Sequence, residues 1–130
     1  MSMVLREELS EGIVAITLNR PESLNALSPA LFSELNQIVT ELSKQTDSVG
    51  CVILRGAGRC FSAGNDLKAV RSGVKAKEKF FQAKTIDLVE KLPQPTIASV
   101  HGHCLTGALE LALACDLMIT SESANLADTH

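Results

Sequence analysis

The chain has 130 residues, a hydrophobic content of 45% and a formal net charge of −3 at pH 7. This length allows one hydrophobic core and a single domain over residues 1–130. The net charge gives no basic footprint, and Trp and Tyr are absent, so we exclude a nucleic-acid role. No stretch is long enough to cross a bilayer, and the first residues resemble no targeting segment. We therefore expect a cytoplasmic protein without membrane association.

The four cysteines favour a reducing environment. None belongs to a CxxC pair, and each lies in or beside an apolar run. We predict that they are reduced and buried rather than joined in disulfides or bound to zinc. The residues are Cys51, Cys60, Cys104 and Cys115.

Strand and helix patterns alternate along the whole chain. Ser10-Glu11-Gly12 predicts a hairpin turn, and Ser28 before Pro29 is typical of a helix start. Such alternation indicates an α/β fold with a largely parallel sheet. The predicted elements are strands Val4–Leu9 and Ile13–Leu18, a helix from Pro29 to about Gln45, a strand Cys51–Leu54, a helix Ala76–Lys91 with apolar Phe80, Phe81, Ile86, Leu88 and Val89, a strand Thr96–Val100, a helix Gly107–Cys115 and a strand Asp116–Thr120.

Two glycine-bearing stretches, Phe61–Leu67 and His101–Glu110, each follow a strand pattern and begin a helical one. Turns of this kind leave backbone N–H groups without intrachain acceptors, and two converging amides can hold the negative oxygen of an activated thioester or ester. We interpret Gly64 and Gly107 as positions where a missing Cβ lets a ligand approach the backbone. Glu110 lies in an apolar helix pattern, where burial of a carboxylate is costly without a task.

The residue spacing does not fit a nucleotide-binding site or a metal site. After Gly56 and Gly58 the third glycine of a dinucleotide fingerprint would fall at Phe61, and no P-loop lysine follows, so we interpret these glycines as turn residues. His101, His103 and Cys104 have metal-binding side chains, but no second pair stands at zinc-site spacing. We therefore predict no metal site.

Four motifs in order resemble the enoyl-CoA hydratase/isomerase, or crotonase, superfamily. They are Asn19-Arg20-Pro21 with Asn25-Ala26-Leu27, then Phe61–Leu67, Gly102–Glu110 and Ala114–Leu117. The resemblance implies a crotonase-like (ClpP/crotonase) core of parallel strands with flanking helices. It also implies that the chain supplies the first half of that fold and stops before the C-terminal helical region.

The resemblance assigns an acyl-CoA site. It implies that the amides of Asn65 and Gly107 form an oxyanion hole for the acyl-CoA thioester. Coenzyme A is then part of the substrate, and no separate cofactor is implied. The residues that would bind the substrate are Asn25, Ala26, Leu27, Ala63, Gly64, Asn65, Asp66, Leu67 and Gly107.

The resemblance also gives Glu110 a role in proton transfer. In hydratases of the superfamily two glutamates position a water, whose oxygen adds at C3 while a proton adds at C2. The second position falls on His130, with Asp128 as a rival carboxylate. Enoyl-CoA hydration is the favoured reaction. Isomerisation, decarboxylation, thioester hydrolysis and a non-catalytic acyl-CoA-binding or assembly module stay open.

Two expectations concern the chain as a whole. By resemblance the protein is a homo-oligomer, a trimer or a hexamer. The 130 residues would leave apolar faces exposed, which predicts self-association or a partner, and we expect negligible hydration by this chain alone. Lys75, Lys77 and Lys79 are interpreted as a solvated helix start rather than as contacts to CoA phosphates.

Overall fold

The computed structural model describes residues 2–71, 73 and 76–128. The helices and strands are β1 (Val4–Ser10), β2 (Ile13–Leu18), α1 (Pro29–Leu42), β3 (Cys51–Gly56), α2 (Leu67–Arg71), α3 (Ala76–Glu90), β4 (Thr96–Val100), β5 (His103–Leu105), α4 (Gly107–Leu113), β6 (Leu117–Thr120) and β7 (Asn125–Ala127). Each element predicted from the sequence is found. The short elements α2, β5 and β7 were not predicted. Among the described helices, none combines the length and the apolar content that a membrane crossing needs.

The main sheet has five strands in the order β1-β2-β3-β4-β6. Strand β1 pairs with β2 in an antiparallel hairpin, and the other three pairings are parallel. Parallel neighbours require a crossover connection, and α1, α3 and α4 lie in the three connections. The predicted hairpin and largely parallel sheet are confirmed.

Helix α1 begins where the sequence predicted and ends earlier. The Ser28 hydroxyl accepts a hydrogen bond from the Leu31 amide at 3.2 Å, and Pro29 occupies the first turn. The buried stripe of the helix ends at Leu42. The amide of Gln45 then donates to the Leu42 carbonyl at 3.0 Å, three residues back, so the chain leaves the α-helix through a tighter turn.

Helix α3 packs through its C-terminal half. Thr85 and Val89 are its buried residues, and Asn36 of α1 donates a hydrogen bond to the Thr85 hydroxyl at 3.0 Å. Phe80 and Phe81, which the apolar pattern placed with the core-facing residues, are 72% and 36% exposed. The prediction for these two side chains is wrong because the N-terminal half of α3 stands beside a cavity instead of on the sheet.

A second ladder runs beside the main sheet. After each of the strands β2, β3, β4 and β6, the chain adds a short segment that pairs with its neighbour, namely residues 24–27, residues 61–66, β5 and β7. Neighbouring segments are parallel. The amides of Leu27, Ser62 and Thr106 donate to the carbonyls of Gly64, His103 and Ala127 at 2.8, 2.9 and 2.8 Å, respectively.

Asn25 joins three parts of this ladder from inside the protein. Its side chain is fully buried and donates to the carbonyls of Ala57 and Cys60 at 2.8 and 2.9 Å. Its Oδ1 accepts a hydrogen bond from the Arg20 amide at 2.7 Å, and its own carbonyl accepts one from the Ser62 hydroxyl at 2.7 Å. The backbone φ of Asn25 is +53°, a conformation that asparagine adopts more readily than most residues.

The cysteines are free thiols, as predicted, but their burial differs. Cys60 and Cys104 are buried, whereas Cys51 and Cys115 are half-buried. Burial raises the pKa of the Cys104 thiol from 9.0 to about 11. Burial likewise raises the pKa of Cys115 to about 11. These thiols therefore stay protonated well above neutral pH.

The edge strand β6 of the main sheet and the helix α4 before it carry exposed apolar side chains. Leu113 of α4 is 66% exposed, and Leu117 and Ile119 of the edge strand β6 are each 63% exposed. Exposed apolar faces were expected from the sequence. The self-association that they would cause stays a prediction.

We predict that Asn25→Ala lowers the free energy of unfolding by about 3 kcal/mol. The change leaves buried carbonyls and an amide without partners and puts alanine at positive φ, and each effect costs roughly 1–3 kcal/mol. Urea denaturation followed by circular dichroism measures the loss. The control is Asn19→Ala, which removes only an exposed hydrogen bond to the Ser2 carbonyl. Equal losses in the two variants would contradict the role given to Asn25.

We predict that stability falls as the pH rises from 9 to 11. With a folded-state pKa of about 11 for Cys104, the unfolded thiol releases its proton first, and the folded state is penalised in this interval. Urea denaturation at several pH values should give a flatter pH dependence for Cys104→Ala than for the natural chain. The lysines contribute equally to both proteins, and there is no tyrosine. Parallel curves would show that the Cys104 thiol does not contribute.

Candidate functional site

The two glycine-bearing turns contact each other directly. Ser62 pairs with Cys104 in a parallel bridge, and the φ of Gly64 is +97°. A Cβ on Gly64 would lie 2.6 Å from Thr106 Oγ1 and 2.7 Å from the Leu105 carbonyl oxygen. Gly64 is therefore needed for the packing of one turn against the other. The approach of a ligand to the backbone at Gly64 stays a prediction.

Asn65 and Gly107 lie side by side at this contact. A Cβ on Gly107 would be 2.9 Å from the Oδ1 atom of Asn65 and 3.3 Å from a methyl group of Leu27. Gly107 is the first residue of α4, so its amide has no intrahelical acceptor. Within the part of the chain that the structure describes, neither the Asn65 amide nor the Gly107 amide has a hydrogen-bond acceptor.

Thr106 holds a strained backbone conformation immediately before Gly107. Its φ is +51° and its ψ is −110°, a region that a β-branched residue rarely adopts. Such strain costs about 1–3 kcal/mol and persists only where neighbouring interactions hold it. Here the Thr106 amide donates to the Ala127 carbonyl at 2.8 Å. The strained residue sets the direction of the peptide that carries the Gly107 amide.

A cavity of about 990 Å³ opens beside this pair. Helices α1 and α3 supply apolar walls, which include Phe32, Phe81 and Ile86. Asn65 and Glu110 supply polar groups. An apolar space with a few polar groups is the usual character of a small-molecule site.

Glu110 faces this cavity, and its side chain is exposed. The expectation of a buried carboxylate is corrected, because the buried positions of α4 are Gly107, Ala108, Leu111 and Ala112, and Glu110 falls on another side of the helix. The carboxylate is therefore placed where a bound molecule can reach it. Asn65 and Glu110 thus line the same cavity, whereas Gly107 does not line it. The proton-transfer role of Glu110 stays a prediction.

The three residues Asn25, Ala26 and Leu27 have different roles in the structure. Asn25 was expected to bind substrate, but its side chain is buried and its polar atoms are occupied by the chain, so it holds the loops instead. The Ala26 carbonyl accepts a hydrogen bond from Arg20 at 2.8 Å, and Ala26 does not line the cavity. Leu27 lines the cavity.

The remaining expected substrate contacts also differ from one another. Asp66 lines the cavity, forms an ion pair with Arg20 at 3.2 Å and accepts a hydrogen bond from the Lys68 amide at 2.9 Å. Leu67 is 70% exposed and Ala63 is half-buried, and neither lines the cavity. The carboxylate of Asp66 thus caps α2 and braces the loop.

Some residues considered in the sequence analysis lie outside the described part of the chain. His130 lies outside the described residues. Asp128, its rival, is described and exposed. Lys75 also lies outside the described residues, whereas Lys77 and Lys79 line the cavity. The role of His130 stays a prediction.

The histidine pair is accounted for by local contacts. His101 donates a hydrogen bond from Nε2 to the Gly58 carbonyl at 2.7 Å. The Nδ1 atom of His103 lies 3.5 Å from Asn125 Nδ2. In the described ranges, no group of three His, Cys, Asp or Glu side chains could hold a metal ion.

Gln82 was missed by the sequence analysis. It lies on α3, lines the cavity and donates a hydrogen bond to Asn65 Oδ1 at 3.4 Å. No motif marks this position, because the side of α3 that meets the glycine turns depends on how the helix packs on α1. A polar residue one position after the exposed Phe80 and Phe81 was the only available signal.

Comparison with known proteins gives a consistent result. The family model described as enoyl-CoA hydratase/isomerase matches residues 8–130. A protein of Arabidopsis thaliana named probable enoyl-CoA hydratase 1, peroxisomal, is 39% identical over 121 residues, which cover 93% of this chain and 45% of the relative.

Solved structures agree in fold. Enoyl-CoA hydratase from Bacillus anthracis has a TM-score of 0.90 at 39% identity, over 98% of this chain and 50% of that one. A monofunctional enoyl-CoA isomerase from M. smegmatis has a TM-score of 0.81 at 33% identity, over 97% and 53%. The predicted crotonase-like core of parallel strands with flanking helices is confirmed, and the chain spans about half the length of these relatives. The chain belongs to the enoyl-CoA hydratase/isomerase family.

Proposed function

We propose that the chain carries the thioester-binding part of an acyl-CoA enzyme, and that its reaction is the addition of water to a 2-enoyl-CoA. One observation supports this most strongly. Asn65 lines the cavity that Glu110 also faces, the buried Gly107 lies against Asn65, and the amides of both residues are unpaired in the described part of the chain. These are the groups that an enolate-forming reaction requires.

In this proposal the two amides bind the thioester carbonyl oxygen. As C2 loses or gains a proton, negative charge develops on that oxygen and strengthens both hydrogen bonds. Fixed N–H donors of this kind lower a barrier by roughly 3–4 kcal/mol each where water is excluded. Thr106 and the helix start at Gly107 keep the Gly107 amide aimed in advance of binding.

Glu110 moves the proton. Its carboxylate takes the proton from C2 as the electron pair passes to the thioester oxygen, and the carboxylic acid returns a proton to C2 in the reverse direction. Hydration also needs a group that holds the water adding at C3. In the resembled hydratases a second glutamate has this task, and the equivalent position here falls on His130.

Double-bond isomerisation is the second candidate reaction. It transfers one proton from C2 to C4 or back, so a single carboxylate is sufficient. The cavity is compatible with it, because the Glu110 carboxylate faces the cavity and one carboxylate can serve as both acid and base. Both a hydratase and an isomerase are among the similar solved structures, the hydratase with the higher TM-score and identity.

We predict that the chain exchanges the C2 protons of butyryl-CoA with deuterium and that Glu110→Gln slows this exchange by about 100-fold or more. The glutamine cannot accept the proton, and general bases contribute roughly 10²–10⁴-fold. Exchange needs one carboxylate and the oxyanion site, so it tests the shared step of both reactions. Mass spectrometry of butyryl-CoA in deuterium oxide measures it.

The control is Glu41→Gln, which changes an exposed carboxylate on α1 and should leave the exchange rate unchanged. Unaltered exchange in Glu110→Gln would refute the role of Glu110. Tight binding of butyryl-CoA without exchange would instead support a non-catalytic module. With crotonyl-CoA, a product heavier by one water indicates hydration, and a product of unchanged mass with a moved double bond indicates isomerisation.

A further inference from the structure

Helix α3 contributes a polar side chain at the point where the two glycine-bearing turns meet. The Gln82 Nε2 atom is 3.4 Å from Asn65 Oδ1 and would be 3.4 Å from a Cβ on Gly107. The carboxamide of Gln82 therefore lies over both residues whose amides are proposed to bind the thioester oxygen. Gln82 also lines the cavity.

The hydrogen bond to Asn65 contributes little to the stability of the fold. The hydrogen bond is long and open to solvent. Bonds of this kind add little to the free energy of folding, since water competes for both partners. Helix α3 is instead fixed on α1 by Thr85 and Val89, one turn and two turns further along. The Gln82 carboxamide is therefore able to bind a ligand without loss of the packing of α3.

The carboxamide of Gln82 has one N–H donor that is not used within the described residues. A glutamine has two N–H donors on Nε2 and an acceptor oxygen. One N–H points to Asn65, and in the described residues the Gln82 side chain forms no further hydrogen bond. The second N–H is on the same Nε2 atom, which would be 3.4 Å from a Cβ on Gly107.

We propose that Gln82 is a further substrate-binding residue that donates its second N–H to the acyl carbonyl oxygen beside Gly107, while its first N–H holds the Asn65 side chain. The inference rests on the proposed function, because it needs an acyl thioester in this cavity. The ligand class is an acyl-CoA, and the contact is with its acyl carbonyl rather than with the CoA nucleotide.

The charges around Gln82 predict how substitutions at this position change the affinity for acyl-CoA. The cavity is lined by three carboxylates and three lysines, namely Asp66, Glu78, Glu110, Lys77, Lys79 and Lys84. Gln82→Met keeps the length and helix propensity of the side chain and removes the donors. Gln82→Glu adds a fourth carboxylate to the cavity, next to the developing negative oxygen, so it should weaken acyl-CoA binding more than the methionine does.

Isothermal titration calorimetry with butyryl-CoA and with free CoA tests the proposal. The natural chain should bind butyryl-CoA more tightly than CoA. Gln82→Met should weaken butyryl-CoA binding about fivefold, as the loss of one net hydrogen bond predicts, and leave CoA binding unchanged. Gln37→Met, an exposed glutamine of α1, should change neither affinity. Thermal unfolding should show the same midpoint for the Gln82→Met variant and the natural chain.

The outcomes separate the two proposals. If the natural chain binds butyryl-CoA no better than CoA, the acyl-thioester site is absent, and both proposals fall. If the natural chain prefers butyryl-CoA and Gln82→Met keeps that preference, only the role of Gln82 is overturned. A parallel loss of CoA affinity in Gln82→Met would also overturn it, because the effect would then not lie at the acyl carbonyl.

Discussion

The parallel pairing of the two glycine-bearing turns is the constraint on which the site depends. The Ser62 amide donates to the His103 carbonyl, and the Leu105 amide donates back to the Ser62 carbonyl. This register brings Gly64 into contact with Thr106 and places Asn65 against Gly107. A slip of one residue would reverse the direction of every side chain along the segment. The positions of the two unpaired amides therefore follow from backbone hydrogen bonds rather than from the side chains of the cavity.

Much of the main sheet was predictable, because its strands are apolar runs bounded by turn residues and its helices carry clear starts. Ser28-Pro29 is an example, since a cap and a first-turn proline act locally. The second ladder was not predictable in the same way. Its segments are about three residues long, as in β5 and β7, and their pairing depends on the distant carbonyls that Asn25 and the main sheet bring into reach.

In the candidate site, too, some residues are identified by local sequence motifs and others are placed only by tertiary packing. The motif that contains Asn65 and the motif that ends at Glu110 identify their own turns, and the structure brings them together. Asn25 belongs to an equally recognisable motif, yet its side chain is buried and serves the loops. Gln82 belongs to no motif and lies on the cavity because α3 packs through Thr85 onto Asn36. A motif marks which residues matter but does not distinguish contact with a ligand from support of the backbone.

The exposure of Asn65 and Glu110 has a consequence for the proposed chemistry. Amide donors act strongly on a developing charge only where water is kept away, because water screens the charge and competes for the same hydrogen bonds. In the free chain these groups face an open cavity. The apolar walls, with Leu27, Phe32 and Ile86, lie where they can cover an acyl group and displace that water. The electrostatic strength of the site is thus supplied partly by the bound acyl chain, so binding of the apolar part of the substrate and stabilisation of its carbonyl oxygen are expected to be coupled.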